Sequence, residues 1–510
     1  MKNILKIFLI IIIALTTYSC SDDYFDVNTP GNVIPDANKN LKDLLGPAIY
    51  YTFDAQYSAA TRVSLLTQYT SSALNSSVGV DNHYEESLDS YWSSVYVKAL
   101  GNLKEVADKA DETKSSHYKG IVQILQAVNF GLLTDLYGDI PFSQASLASQ
   151  NFKPEYDRQE EVYKGINNLL DQAIANLSAP NTSSFTPGKE DLVYGGNVEK
   201  WIKAAYSFKA RYALHLSKIN ATTAASTVVS YLAKGITSNA DDFQLIYNKV
   251  QTNPWYNNQL GLNTGNASYL ITKQFIGFMN GSTFAFKTVT MDPRMPLLID
   301  LRSYPVTDGV VNPKDPNPNV PGNYIGGEPG QGSKGTPAPN AKIGLYSYYS
   351  KVDSPVVILS FSEVKLMQAE AQFILNGGNA TSTGTNATGY SAFMDAIGAN
   401  MDKLGVSGPD KNAYLGDASI NKGAASLQLK DIMRQKNIVL YLNCETFNDY
   451  RRYDFSTNVF PGLALPKAAD PANGGKWIRR FIYSTNERNA NKANYELNFK
   501  SMVTPVWWDK

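Results

Sequence analysis

The sequence is poor in the residues that several common chemistries need. Of its 510 residues, two are cysteines (Cys20 and Cys444) and three are histidines (His83, His117 and His215). The histidines are too scattered to suggest a metal site by spacing. His215 lies on a helical stretch and reads as a structural or surface residue. There is no HExxH, no paired CxxC and no Gly-x-Ser-x-Gly, so metalloprotease, zinc-finger and common serine-hydrolase readings lack support. An excess of either charge is also missing. Lys+Arg is 46 and Asp+Glu is 46, which argues against a general binder of nucleic acid or anionic membrane. Charged residues make up only 18%, below the usual quarter. The apolar run from Ile7 to Leu15 is too short to cross a bilayer core, which needs about twenty residues.

What is present is a globular composition, 43% hydrophobic, with enough length for about three domain equivalents or one large lobed unit. Aromatics reach 12%, and the 32 Tyr outnumber 21 Phe and 6 Trp. Tyrosine joins a flat apolar face to a hydroxyl, which suits polar, ring-shaped ligands at a wet surface.

The N-terminus has Lys2 and Lys6, the short apolar run, and then Thr17-Tyr18-Ser19-Cys20. That order reads as a secretory signal. With Cys20 directly after a small residue it resembles a bacterial lipoprotein signal, although Thr17 stands where Leu is usual. The resemblance implies removal of residues 1–19, a diacylglyceryl group on the Cys20 thiol and an acyl chain (palmitate or similar) on its amine. Chains of that kind on one residue exceed the two-signal threshold for stable anchoring. Cys444 is then left without a disulfide partner. Ser21-Asp22-Asp23-Tyr24-Phe25 resembles the acidic tag that sends some lipoproteins to the outer face of the cell. Residues 20–38 read as a lipidated tether and 39–510 as one domain.

Within that domain the pattern from 39 to 300 is mostly helical. Ile121, Ile124, Leu125, Val128, Leu132 and Leu136 fall at offsets 0, 3, 4, 7, 11 and 15, and Trp201, Ala204, Ala205, Phe208, Tyr212 and Leu216 repeat those offsets. Both are core-facing stripes of amphipathic helices. A third stripe runs from Val162 to Leu177, and further helices are predicted near 40–72, 88–110, 222–235 and 270–280. Trp92 and Trp201 sit on such stripes and read as core. Helices of this length in succession suggest stacked antiparallel pairs, although no clean 34-residue repeat is present. From 301 to 510 the chain reads as a loop-rich lobe with helices returning at 355–376 and 426–442. Its stretch Asn312 to Pro318, followed by Gly326 to Gly330, cannot form helix or central strand. The aromatic C-terminus Val506-Trp507-Trp508 reads as docked.

Gly330-Gln331-Gly332-Ser333-Lys334-Gly335 fails as a phosphate loop, because Lys does not precede Ser or Thr and Pro337 and Pro339 block the following helix. Prolines likewise break calcium-ligand spacing in 312–319. A glycosidase pair cannot be read from sequence, since it is defined by a separation of about 5–9 Å. No cofactor or metal is expected. The positive signal is aromatic residues beside Asn, Gln, Ser and Asp in apparent loops. Sugar rings stack their C–H faces on such aromatics while amides and carboxylates take the hydroxyls. The candidate platforms are Tyr84, Trp255, Tyr256, Tyr304, Tyr324 and Tyr348.

Several segments together resemble the SusD/RagB-like nutrient-binding outer-membrane lipoproteins. They are Asp26-Val27-Asn28-Thr29 after the tagged Cys20, Asp135-Leu136-Tyr137-Gly138-Asp139-Ile140-Pro141-Phe142, and Tyr156-Asp157-Arg158-Gln159-Glu160. The segment Trp201 to Tyr212, Asp292-Pro293-Arg294, Ser362 to Ala371 and Phe447-Asn448-Asp449-Tyr450-Arg451-Arg452 follow in the family's order. Physically these motifs look like scaffold. The resemblance implies a mainly α fold of four tetratricopeptide-like helix pairs with an irregular, loop-rich second lobe. It further implies a non-enzymatic surface protein that binds oligosaccharides, or peptides in some members. Such a protein passes its ligand to a SusC-like TonB-dependent outer-membrane transporter, whose extracellular lid it forms. Ligand contacts vary within the family, so none transfers to this chain. A secreted glycan hydrolase is the alternative from another class.

Overall fold

The computed structural model describes residues 40–74, 79–145, 151–305 and 312–510. The expected signal peptide (1–19), the lipidation site Cys20 and the tether (20–38) lie outside the described residues. The first helices are α1 (Leu41–Leu66), α2 (Asp89–Ser93), α3 (Leu100–Glu112), α4 (Ser116–Tyr137), α5 (Gln159–Ser178), α6 (Val198–His215) and α7 (Ala221–Leu232), with a π-helical stretch at Ser94–Ala99 joining α2 to α3. Between residues 233 and 360 the described elements are short: α8 (Pro254–Gln259), α9 (Lys273–Met279), α10 (Met295–Leu298), β2 (Phe243–Ile246), β3 (Tyr269–Ile271) and β4 (Pro355–Leu359); β2 pairs antiparallel with β4, and β3 with β1 (Thr70–Ser72), which follows α1. Long helices return as α11 (Phe361–Leu375) and α12 (Ala387–Leu404), followed by α13 (Gly408–Gly416), α14 (Leu429–Val439), α15 (Glu445–Arg452), α16 (Thr485–Ala490) and α17 (Lys492–Asn498).

Five of the long helices start where an N-cap side chain accepts from their unpaired amides. Asn40 caps α1, Asn197 caps α6, Asn220 caps α7, Ser360 caps α11 and Asn386 caps α12. α4 stops at Gly138, whose φ of +85° favours glycine. The helices pack in succession: α1 on α3, α3 on α4, α4 on α5, α5 on α6, α6 on α7, α7 on α11 and α11 on α12. That is four stacked helix pairs, the quasi-one-dimensional arrangement of a solenoid. The stripe residues Ile121, Leu125, Trp201 and Phe208 are fully buried, as are Trp508 and, to within 4% exposure, Trp92. The expected mainly α scaffold with an irregular second part is therefore present. The fourth pair comes from 361–404, and the irregular part begins near 233.

The sequence motifs close into buried ion networks between the solenoid and the C-terminal segments. His215 is fully buried, not a surface residue. Its Nε2 lies 2.7 Å from Glu445 Oε1, and its Nδ1 lies 2.8 Å from the Tyr163 hydroxyl and 3.4 Å from Asp135 Oδ2. Arg211 grips Glu363 with two bonds of 2.8 and 2.7 Å. Glu370 takes Arg452 at 2.6 Å and Lys436 at 3.2 Å, and Asp449 holds the same two cations from the other side. Asp292 pairs with Arg294, which also donates to Asn400 and Gln435. Breaking such pairs is costly because each partner would be left charged in a dry interior.

These contacts make stability depend on pH in a stated direction. Burial disfavours the His215 imidazolium, but Glu445 and Asp135 outweigh it and lift its pKa to about 9. The unfolded chain has a histidine pKa near 6.5. The stabilisation is therefore complete below pH of about 6.5 and fades as pH rises through 9, by about 3 kcal/mol in all. Urea denaturation of wild type should show this decline, and His215→Gln should lack it. An equal decline in the variant would show that His215 is not its source.

Candidate functional site

From its tenth residue on, α1 presents Tyr50, Asp54, Tyr57, Thr61 and Arg62, partly exposed, along one helical face. Arg62 is the centre of a polar and aromatic cluster there. Its Nε lies 2.7 Å from Glu86 Oε1, and its guanidinium donates to the Tyr269 hydroxyl at 3.4 Å. Tyr269 reaches this point because β1 and β3 pair with Ser72 opposite Tyr269. α8 closes the next side. Asn253 caps it by accepting from the Trp255 and Tyr256 amides at 2.8 and 3.1 Å, with Pro254 in the first turn. The Asn253 side-chain amide donates to Ser354 O at 3.0 Å, which pins α8 to the loop before β4. Trp255 meets the Tyr57 ring edge-on at 5.1 Å and lies 6.3 Å from Tyr269.

The electrostatics are those of a neutral surface. Burial, helped by Tyr269, raises the Tyr57 phenol well above its ordinary pKa, and burial raises Tyr269 against the opposing pull of Arg62. Both therefore remain neutral hydroxyls that donate and accept. Burial disfavours the Arg62 cation, yet Glu86 outweighs it and keeps the guanidinium charged. The pair carries no net charge. Rings, two phenols and the Asn258 amide, which is hydrogen-bonded to Tyr57, make a surface suited to a neutral, hydroxyl-rich ligand.

The six aromatic candidates from sequence do not converge on one cleft. Tyr256 is half-buried on α8, next in sequence to Trp255, and Tyr84, also half-buried, stands two residues before Glu86. Trp255 is only 4% exposed and forms the wall behind Tyr57 rather than an open platform. Tyr304 and Tyr324 belong elsewhere. Tyr304 donates to Asp300, and Tyr324, 5% exposed, donates to Pro318 O at 2.7 Å. Tyr348 is half-buried, edge-on to Tyr349 at 4.9 Å and near Lys403. Tyr57, Arg62, Glu86 and Tyr269 were not among the candidates. Tyr57 and Arg62 sit in a helical pattern that shows no ligand chemistry, and Tyr269 arrives by pairing across about two hundred residues.

Residues 35–484 match a SusD-like family model described as starch-binding and associating with the outer membrane. A solved SusD/RagB family protein from Bacteroides thetaiotaomicron is similar at 23% identity and a TM-score of 0.72, covering 92% of this chain and 99% of its own. A SusD homologue from Bacteroides fragilis is 21% identical with a TM-score of 0.68, covering 92% and 99%. A chitin-binding SusD homologue from Flavobacterium johnsoniae is 20% identical with a TM-score of 0.67, also covering 92% and 99%. No curated protein matches the chain in sequence. The structures bear on the fold, and the family model spans most of the sequence: the chain belongs to the SusD-like family.

Proposed function

We propose that this protein is a lipid-anchored, outward-facing outer-membrane protein that captures nutrient oligosaccharides and delivers them, unbroken, to a SusC-like TonB-dependent transporter as its extracellular lid. The observation that carries the ligand class is the cluster of Tyr57, Tyr269, Asn258 and the mutually neutralising Arg62–Glu86 pair, set on a helix, a strand and a capped turn. The family's description as starch-binding and the chitin-binding relative support a glycan. Anchoring through Cys20 rests on the leader sequence, and no helix among the described residues is long and apolar enough to cross a membrane.

Titration calorimetry with malto- and chito-oligosaccharides tests the reading. Arg62→Met is expected to weaken binding by about 1.5–3 kcal/mol, the usual worth of hydrogen bonds from a charged group. Arg62 keeps 42% of its side chain exposed, so its loss should leave the fold intact. An unchanged affinity would remove the cluster from the site. Binding of peptides in place of glycans would move the reading to a peptide-binding member. Release of shortened glycans on prolonged incubation would establish hydrolysis instead. Co-purification of the detergent-solubilised transporter tests the lid.

A further inference from the structure

A second concentration of rings and charges lies where the chain doubles back between Asp300 and Ser347. Lys342 bridges Leu270 of β3 on one side and Asp300 on the other, exchanging backbone bonds of 2.9 and 3.1 Å with Asp300. At about 4.8 Å per strand step, Asp300 stands roughly 10 Å across from β3, which carries Tyr269 of the first cluster. The Asp300 carboxylate accepts from the Arg302 amide at 2.9 Å and from the Tyr304 hydroxyl. That hydroxyl in turn accepts from the Leu345 amide at 2.9 Å. The Tyr304 ring lies nearly parallel to Tyr346, 16° apart with centroids 6.5 Å distant, and the Arg302 guanidinium sits 4.8 Å from the Tyr346 centroid.

Of these groups Asp300, Arg302 and Tyr346 border a cavity of about 80 Å³, together with Asp315, Pro316 and Pro318. Asp315 is the telling member. Its Oδ1 accepts from the Ser303 amide at 2.9 Å, while its Oδ2 is buried and has no hydrogen-bond partner among the described residues. A buried carboxylate oxygen without a donor is costly, and none of the described residues supplies one, so a ligand hydroxyl reaching it would be favoured. The volume exceeds the roughly 30 Å³ of a single water. An anion would meet Asp300 and Asp315. A cation would meet Arg302, whose carbonyl is held by the Lys342 ammonium at 2.9 Å. A neutral polyol satisfies both sets.

We propose that this cavity is a second carbohydrate-binding site, separate from the Arg62 cluster, which takes a hydroxymethyl or vicinal-diol end of a sugar. One sugar hydroxyl donates to Asp315 Oδ2, a neighbouring oxygen accepts from Arg302, and the C–H face of the ring lies on Tyr346, whose side is 40% exposed. The inference rests on the glycan reading above. The pocket is too small for a whole oligomer, so it should hold short chains as well as long ones.

The test is calorimetric titration of the full chain with short malto- and chito-oligosaccharides, on wild type, Asp315→Asn, Tyr346→Ala, Tyr346→Phe and Arg62→Met. Wild type is expected to show two binding events with at least one of the two series. Asp315→Asn and Tyr346→Ala should each weaken one event tenfold or more and spare the other, which Arg62→Met weakens. Tyr346→Phe, which keeps the ring, should bind as wild type does. Asp315 lies on a loop and Tyr346 at the surface, so melting curves of these variants should match wild type. If both variants titrate as wild type, the cavity holds only water and the proposal fails while the glycan reading stands. If wild type binds no glycan at all, the reading and the proposal fall together.

Discussion

Replacing Glu370 with Ala is expected to destabilise the fold by about 3–5 kcal/mol, the usual cost of breaking a buried ion pair from one side. Glu370 is fully buried and accepts from Arg452, Lys436 and the Tyr453 hydroxyl, the last at 2.5 Å. Burial alone would raise its pKa, but Arg452 and Lys436 outweigh burial and hold it at about 2. Without it, two cations at most 1% exposed share the single carboxylate of Asp449. The site then carries a net positive charge in a medium that solvates it poorly. Urea denaturation measures the loss. Glu370→Leu combined with Lys436→Met restores charge balance and should recover part of it. A loss below about 1 kcal/mol for Glu370→Ala would mean that water reaches the network and that it does not latch α11 to α14 and α15.

That network also marks the limit of what the sequence discloses. The stripes of α4 and α6 are local, period-3.6 patterns, so Ile121 or Phe208 can be placed in the core from neighbours alone. The polar motif residues read as scaffold for a sound reason: they sit on helices whose other faces are packed. Their partners are another matter. Arg211 and Glu363 are 152 positions apart, and His215 and Glu445 are 230 apart, so nothing nearby in sequence marks either pair. The Arg62 cluster is hidden in the same way, because Tyr269 reaches Arg62 only through the pairing of β1 with β3, and Glu86 reaches it from a loop 24 positions away. In sequence α11 and α12 look like helices that return within a late, loop-rich lobe. Their packing on α7 makes them the end of the solenoid.

Replacing Trp255 with Ala should cost about 3–5 kcal/mol, the range for removing a large buried aromatic, and this reverses the expectation from sequence. Asn253-Pro254-Trp255-Tyr256 reads as an exposed loop because Asn and Pro dominate its opening. In the fold, Asn253 and Pro254 are the cap and first turn of α8, and they turn Trp255 inward. The indole packs against Tyr57 and Tyr269 and borders a cavity of about 30 Å³ shared with Tyr349, Val356 and Tyr441. Its removal would enlarge a void whose walls belong to different elements and cannot collapse together, so the cost falls at the upper end. Tyr57 would lose its edge contact, so glycan affinity should fall alongside stability. Tyr256→Ala, one position on and half-buried, should change stability by less than about 1 kcal/mol. Denaturation and calorimetry on the two variants separate the roles. A Trp255→Ala protein as stable as wild type yet unable to bind would make Trp255 a ligand platform that must swing outward, against the packing described here.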